Sequence, residues 1–384
     1  MRTVKLRFSA AVCAAMAGML VAFPSCSRKK PTSGEENRPS PNTVLVDSLA
    51  TPETVALFRN LRDGSARGVM FGHQDDTAYG VGWKAEPGRS DVKAVCGDYP
   101  AVYGWDLGDI GNPENLDGVN FELMKNLIGE AHGRGGINTI SMHLDNPVSG
   151  GNAWDNSAAV GGILPGKPHH AEYLHTLSLI AAFLRDLKTP AGTSIPVILR
   201  PYHEHNQTWP WWGRSACTAD EYIALWRMTV EYFRDGCGLH HLIYAISPQD
   251  VGSEREYLER YPGDDVVDVF GLDYYRLTGA SAVPQLGRTL QIIRTLAENR
   301  GKVSAVTEIG VENVGIAGWW TGCLLKALNT SEQSKKTAWT LAWRNASTTH
   351  HWAPYPGHAS VPDFVKFYRD SLTIFEGDLP DMYR

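Results

Sequence analysis

Past residue 50 the chain alternates between two hydrophobic periods. Short runs of β-branched and aromatic residues, bounded by Gly, Pro, Asn and Asp, read as strands over Gly68–Gln74, Ala101–Gly108, Ile137–Pro147, Ile195–Asn206, Leu242–Asp250, Val266–Tyr275, Val303–Gly310 and Thr337–Ala346. Between them lie stretches of helical period: Phe121–Gly133, Ala171–Leu187, Ala219–Gly236, Leu286–Asn299 and Trp320–Leu328, with a last one over Pro362–Leu372. Leu177, Ile180, Ala181 and Leu184 mark one apolar helix face. Thr218, with Glu221 three residues later, has the form of a capping box. Eight βα units predict a single (β/α)8 TIM barrel with extended βα loops. A doubly wound sheet would carry a Gly-rich phosphate loop after an early strand. The first strand here instead runs into Phe71-Gly-His-Gln-Asp-Asp76.

The N-terminus follows neither period. Arg2, Lys5 and Arg7 precede an uncharged apolar run from Phe8 to Phe23, the plan of a secretory signal and short for a membrane span. It ends in Pro24-Ser25-Cys26, which resembles a bacterial lipobox, with cleavage before Cys26 and lipidation of that residue. Residues 1–25 are thus expected to be a signal peptide. Residues 26–44, rich in Pro, Ser and Glu, are expected to be a flexible tether, and residues 45–384 the barrel domain. The expected location is the bacterial cell envelope, with membrane contact only through the lipid. The basic Ser27-Arg-Lys-Lys30 favours a periplasm-facing anchor over the cell surface.

Composition narrows the function. The 384 residues hold 36 basic and 42 acidic side chains, a net charge of −6, which argues against a partner bound by phosphate neutralisation. Past Cys26 the cysteines are Cys96, Cys217, Cys237 and Cys323, with no CxxC or zinc-ribbon spacing. Tryptophan is abundant, at 12 residues. Trp226 and Trp339 fall in a helix and at a strand start. The other ten (Trp83, Trp105, Trp154, Trp209, Trp211, Trp212, Trp319, Trp320, Trp343 and Trp352) fall at strand ends or in the loops that follow, and are expected to line a cleft on one barrel face.

A barrel places its chemistry where strands exit toward the βα loops. Those positions deliver His73 and Gln74, Trp105 and Asp106, His143 and Asp145, Arg200 to Asn206, Ser247 to Asp250, Asp273 to Tyr275, Glu308, and Trp343 to Asn345. Glu204 and Glu308 close otherwise apolar strands four and seven, where a carboxylate is costly unless it is paired or used. Two carboxylates flanking one point can hydrolyse a glycosidic bond. Alternatively, each glutamate forms a structural ion pair with a neighbour such as Arg200.

At these residues the chain resembles glycoside hydrolase family 26, mainly β-1,4-mannanases. The most specific stretch is Arg200-Pro-Tyr-His-Glu-His-Asn-Gln-Thr-Trp-Pro-Trp-Trp-Gly213. Ser141-Met-His-Leu-Asp-Asn-Pro147, Phe270-Gly-Leu-Asp-Tyr-Tyr275, Thr307-Glu-Ile-Gly310 and Ala342-Trp-Arg-Asn345 support it. His205 departs from the usual Met, and Gln207 from a common Gly. The resemblance implies a retaining mechanism, with Glu204 as acid/base and Glu308 as nucleophile. It also implies that Tyr275 orients Glu308, that His143 and Asp273 line the sugar sites, that His203 bonds near the nucleophile and the sugar at the cleavage point, that Trp209 serves the leaving-group side, and that Trp343 and Arg344 serve the glycone side; His73 and Trp212 are further expected substrate-binding residues. The implied partner is a β-mannan (mannan, glucomannan or galactomannan), cut internally or released as mannobiose by a monomer without metal or cofactor. Two readings compete. One is a metal-dependent barrel hydrolase using His203 and His205 with His73 and His143. The other is a non-catalytic carbohydrate-binding lipoprotein.

Overall fold

The computed structural model describes residues 45–65 and 67–384. The expected signal peptide, Cys26 and the tether lie outside them. Eight parallel strands form the barrel: β1 (Val69–Gln74), β2 (Val102–Asp106), β3 (Ile137–Ser141), β4 (Val197–Arg200), β5 (Leu242–Ile246), β6 (Val269–Tyr274), β7 (Val303–Ile309) and β8 (Trp339–Ala342). Each pairs with its neighbour in sequence, and β8 returns to pair with β1 from Met70↔Trp339 to His73↔Ala342, closing the barrel. All eight strands lie within the runs that the sequence predicts. All but β1 stop earlier at the C-terminal end, close to where the polar residues of each run begin. β4 ends at Arg200, where Pro201 brings no N–H.

Every strand sends apolar residues into one interior cluster: Met70, Val102, Ile137, Ile198, Ile243, Val269, Val303 and Leu341 among them. Its floor is a helix that the strand pattern did not predict, Pro52–Gly64, whose Leu57, Phe58 and Leu61 are fully buried in that cluster. Thr51 caps this helix by accepting from the Thr54 N–H, and Pro52 occupies its first position. A second, larger cluster packs the outer helices against the strands.

The predicted helices form, with changes at their ends. Ala219–Glu231 continues as a π turn over Tyr232–Gly236, and the Trp320 segment is a π turn to Leu325 followed by Lys326–Leu328. Short helices at Asp91–Cys96, Val160–Ile163 and Glu254–Leu258 complete the loops. No helix among the described residues is long and apolar enough to cross a membrane. Cys96, Cys217, Cys237 and Cys323 are free thiols.

Candidate active site

Two local departures from regular backbone build the centre. On β7, Val303 and Ala305 face the interior, so strict alternation would put Thr307 inside and Glu308 outside. The β6–β7 register slips between Leu272↔Val306 and Asp273↔Glu308, one extra residue on β7. A bulge of this kind re-aims side chains. Thr307 reaches Asp273 through Oγ1 at 2.6 Å, and Glu308 turns inward as well. Beyond β4, Tyr202 and Glu204 adopt φ of 48° and 52°, a left-handed backbone that non-glycine residues seldom hold. The Glu204 N–H donates to Ser247 O at 2.7 Å, and the Glu204 carbonyl accepts from Gln207 at 2.8 Å, which fixes the strained turn.

Glu204 and Glu308 meet across the barrel mouth, and a carboxylate oxygen of each lies within 4.8 Å of the other and of one on Asp273. Both glutamates are buried. Glu308 accepts from Arg200 and, at 2.8 Å, from the Tyr275 hydroxyl. Burial and the Glu308 charge hold that hydroxyl well above its usual range, so it remains a donor. Glu204 accepts from the Trp209 indole N–H at 2.6 Å. Its carboxyl is pushed well above the ordinary glutamate value, first by burial and then by the charges of Asp273 and Glu308, with Trp209 and Arg200 opposing. The resting pair is therefore a protonated Glu204 facing Glu308.

Several predicted site residues sit differently from expectation. Asp273 is fully buried and filled by donors from Arg200 at 2.8 Å, Thr307, and Ser247 at 3.2 Å. It therefore holds Arg200 under Glu308 and does not line a sugar site. Trp212 is also fully buried. Its indole N–H donates to the His203 carbonyl at 2.7 Å and its ring packs edge-on beneath Trp209, so it supports the cleft without touching its contents. His73 is buried against Asp76 at 2.7 Å. His143 and His203 face each other, with their Nε2 atoms 3.1 Å apart. Trp343 lies 6.0 Å from the His143 ring, and Arg344 pairs with Asp117 at 3.1 Å. Trp352 packs against Gly310, where a Cβ would come within 2.1 Å of the indole.

The expected aromatic lining shrinks accordingly. Trp105, Trp211, Trp212, Trp319 and Trp320 are core residues, and Trp83 is buried with its N–H on Asp91. The accessible rings are Trp154, Trp209, Trp343 and Trp352. Trp154, 52% exposed, stacks 5.4 Å from His143 and lies tilted 5.6 Å from Trp209. Its loop is tied across by Asn156, which donates to Thr208 O at 2.9 Å.

His203 and His205 do not converge as metal ligands. His205 stacks on Tyr222 at 4.4 Å, away from the His143–His203 contact. Among the described residues, the grouping of three side chains close enough to share an ion is Glu204, Asp273 and Glu308, and there the Arg200 guanidinium already supplies the positive charge to two of the three. Arg200 was legible as a strand-end residue and ion-pair partner, but not as the group that holds both Asp273 and Glu308, and Asp117, the partner of Arg344, lies in a loop that has no pattern.

The geometry agrees with what this chain is similar to. A model of glycosyl hydrolase family 26 matches residues 46–373. A mannan endo-1,4-beta-mannosidase of Bifidobacterium adolescentis is 36% identical over 283 residues, which is 70% of this chain and 28% of that protein. One of Bacillus subtilis strain 168 is 30% identical over 54% of this chain and 58% of its own length. The chain thus spans less than two thirds of these curated relatives. Among solved structures, a GH26 beta-mannanase from Bacteroides ovatus superposes with a TM-score of 0.84 at 42% identity, covering 87% of this chain and 98% of that one. A modular endo-beta-1,4-mannanase from Cellulomonas fimi gives 0.84 at 36% identity, covering 88% and 79%.

Proposed function

The chain belongs to glycosyl hydrolase family 26, and on that premise we propose that it is a retaining β-mannanase, cutting β-1,4-mannosidic bonds through Glu204 and Glu308. The observation that carries the reading is the carboxylate pair. An oxygen of each within 4.8 Å of the other supports the roughly 5–5.5 Å separation of retaining enzymes over the wider spacing of inverting ones. Glu204, kept protonated by burial and its acidic neighbours, gives its proton to the leaving oxygen. Glu308, aimed by Arg200 and Tyr275, attacks the anomeric carbon from the other side. Once Glu308 is esterified its charge is gone, one force raising the Glu204 pKa is removed, and Glu204 takes a proton from the incoming water. Trp154, Trp209 and Trp343 offer faces for the C–H side of a pyranose.

The proposal extends to short products, mannobiose among them. The loop from Asn146 to Lys167 is clamped by Asn146, which donates to Asp155 O and Ser157 O at 3.0 and 2.9 Å. On the opposite side, His350 pairs with Glu312 at 2.9 Å. Loops ordered in this way support a cleft closed at its far end. The leader and Cys26 support export with a lipid anchor.

The test is product analysis on mannan for the wild type beside Glu204→Ala and Glu308→Ala. Both variants should be nearly inactive, and azide should restore Glu204→Ala on an activated aryl mannoside with retained configuration. Near-normal turnover in either variant refutes the assignment. Loss of wild-type activity in EDTA, restored by zinc, would favour the metal-dependent alternative. A uniform early ladder of oligosaccharides would refute the short-product mode alone.

A further inference from the structure

Asp106, the last residue of β2, belongs to neither carboxylate of the pair, is fully buried, and has every lone pair in use. Its Oδ1 accepts the backbone N–H groups of Gly108 at 2.7 Å and His143 at 3.1 Å. Its Oδ2 accepts the Ser141 hydroxyl at 2.5 Å and stands 2.7 Å from His143 Nδ1. An ionised carboxylate offers about four acceptor sites: two are met by backbone N–H groups, which can only donate, and a third by the Ser141 hydroxyl, whose oxygen also lies 3.1 Å from Trp105 O. The fourth, facing Nδ1, is satisfied only if that nitrogen carries its hydrogen. The far nitrogen of the same ring, Nε2, lies 3.1 Å from Nε2 of His203, and two nitrogens at that distance share a single hydrogen. His203 immediately precedes Glu204, and its remaining nitrogen, Nδ1, is buried with no partner among the described residues.

We propose that Asp106 is a positioning residue for the glycosidic cleavage: it fixes the tautomer and tilt of His143 and, through the Nε2–Nε2 contact, decides which nitrogen of His203 holds a hydrogen next to Glu204. The inference rests on the reading of Glu204 and Glu308 as the cleaving pair. Asp106 thus acts at one remove, as the orienting carboxylate of a buried histidine does elsewhere in enzymes.

The charges around the chain of contacts agree. His143 is faced by Asp106, Glu308 and Asp117, and His203 by His143, Arg200 and His205. Burial works against protonating His143, but Asp106, by charge and hydrogen bond, outweighs it with help from Glu308 and Asp117, and the imidazole pKa is raised. Burial likewise opposes ionisation of Asp106, and His143, Ser141 and Gly108 outweigh it in turn. His203 is driven well below the usual imidazole value by burial and then by His143 and Arg200. A proton entering the pair therefore rests on His143, and His203 stays neutral.

Asp106→Asn tests this. The side-chain shape is kept and the amide oxygen still accepts from Gly108 and His143 N–H, but the NH2 group meets His143 Nδ1 as a donor and forces that nitrogen bare. The expected result is a kcat/KM fall of about 100-fold, carried mainly by kcat, with the limb of the pH profile that follows His143 displaced to lower pH. In nitrogen NMR, the wild-type His143 should show a protonated Nδ1 that titrates above ordinary imidazole, and Asp106→Asn should abolish it. A purely structural Asp106 would lower the folded fraction and leave the pH profile and the kcat-to-KM division of the surviving molecules unchanged, which overturns the proposal. If Asp106→Asn does not fold, the wild-type spectrum decides: a bare Nδ1 on His143 overturns it and a protonated one supports it. Should the wild type fail to cleave mannan, the cleavage reading falls, while the NMR result still decides whether Asp106 sets the tautomer.

Discussion

At the scale of single residues, the proposed acid, Glu204, is set by opposing influences on its carboxyl. Burial, Asp273 and Glu308 raise the Glu204 pKa, and the Trp209 N–H lowers it. Trp209→Phe keeps a ring in place but removes that donor, so the carboxyl rises further. The basic limb of kcat/KM, set by loss of the Glu204 proton, should move to higher pH. An unmoved or acid-shifted limb would contradict the assignment of Glu204 as the acid. The same shift has a cost in stability. Because the folded pKa lies above the unfolded value of 4.5, the folded state holds the proton more tightly. Stability from this group is complete below that value and is lost as pH rises through the folded pKa. Glu204→Gln removes the titration. Its melting temperature should exceed that of the wild type, by more at roughly pH 8 than at roughly pH 5. Equal differences at both pH values would show that Glu204 does not titrate in the expected window.

At the scale of elements, the segment between β4 and the helix Ala219–Glu231 carries Glu204, Trp209 and Trp212, and one side chain secures both its ends. Arg260 is buried and donates to the carbonyls of His205 at 2.5 Å, Cys217 at 2.6 Å and Thr218 at 2.8 Å. From sequence, Arg260 groups with Glu254, Arg255, Glu256 and Glu259 as an exposed helical face. The helix stops at Leu258, and the chain turns Arg260 inward. Charge patterning alone cannot tell a solvated arginine from one that closes three distant carbonyls. The Thr218 capping box, by contrast, is local, and the structure forms both of its bonds. The β7 bulge also escapes the pattern, since one extra residue in a strand leaves no mark on a two-residue period. Arg260→Leu strands three carbonyls and should cost about 3 kcal/mol or more, with a fall in kcat as the segment loosens. Thr218→Ala should cost about 1 kcal/mol and leave kcat alone. Denaturant unfolding beside steady-state kinetics checks both. An Arg260→Leu protein as stable and as active as Thr218→Ala would remove the role given to Arg260.

At the scale of the whole molecule, two packed regions divide the work, and the tryptophans show why sequence located the active face correctly but not its lining. Strand ends and their loops do share one end of the barrel, so Trp105, Trp211, Trp212, Trp319 and Trp320 belong there. Long loops nevertheless need a core of their own, and most of those rings are used for it. Sequence position gives the face, while burial depends on how the loops fold over each other. The opposite end closes with the helix Pro52–Gly64, whose Phe58 fills the interior cluster together with Leu57, Leu61 and Met382. Phe58→Ala and Trp212→Ala each delete a fully buried aromatic ring and should each cost about 3–5 kcal/mol. Their effects on turnover should diverge. Trp212 bonds the His203 carbonyl and supports Trp209, so Trp212→Ala should lower kcat per folded molecule by at least about tenfold, a misplacement effect. Phe58→Ala should leave kcat per folded molecule within about twofold of wild type, because the closed ladder of eight strands lies between the floor and the catalytic mouth and interiors this dense deform little. Active-site titration followed by kcat on the titrated fraction separates the outcomes. Equal losses of kcat in the two variants would mean that the barrel floor and the catalytic mouth behave as one mechanical unit.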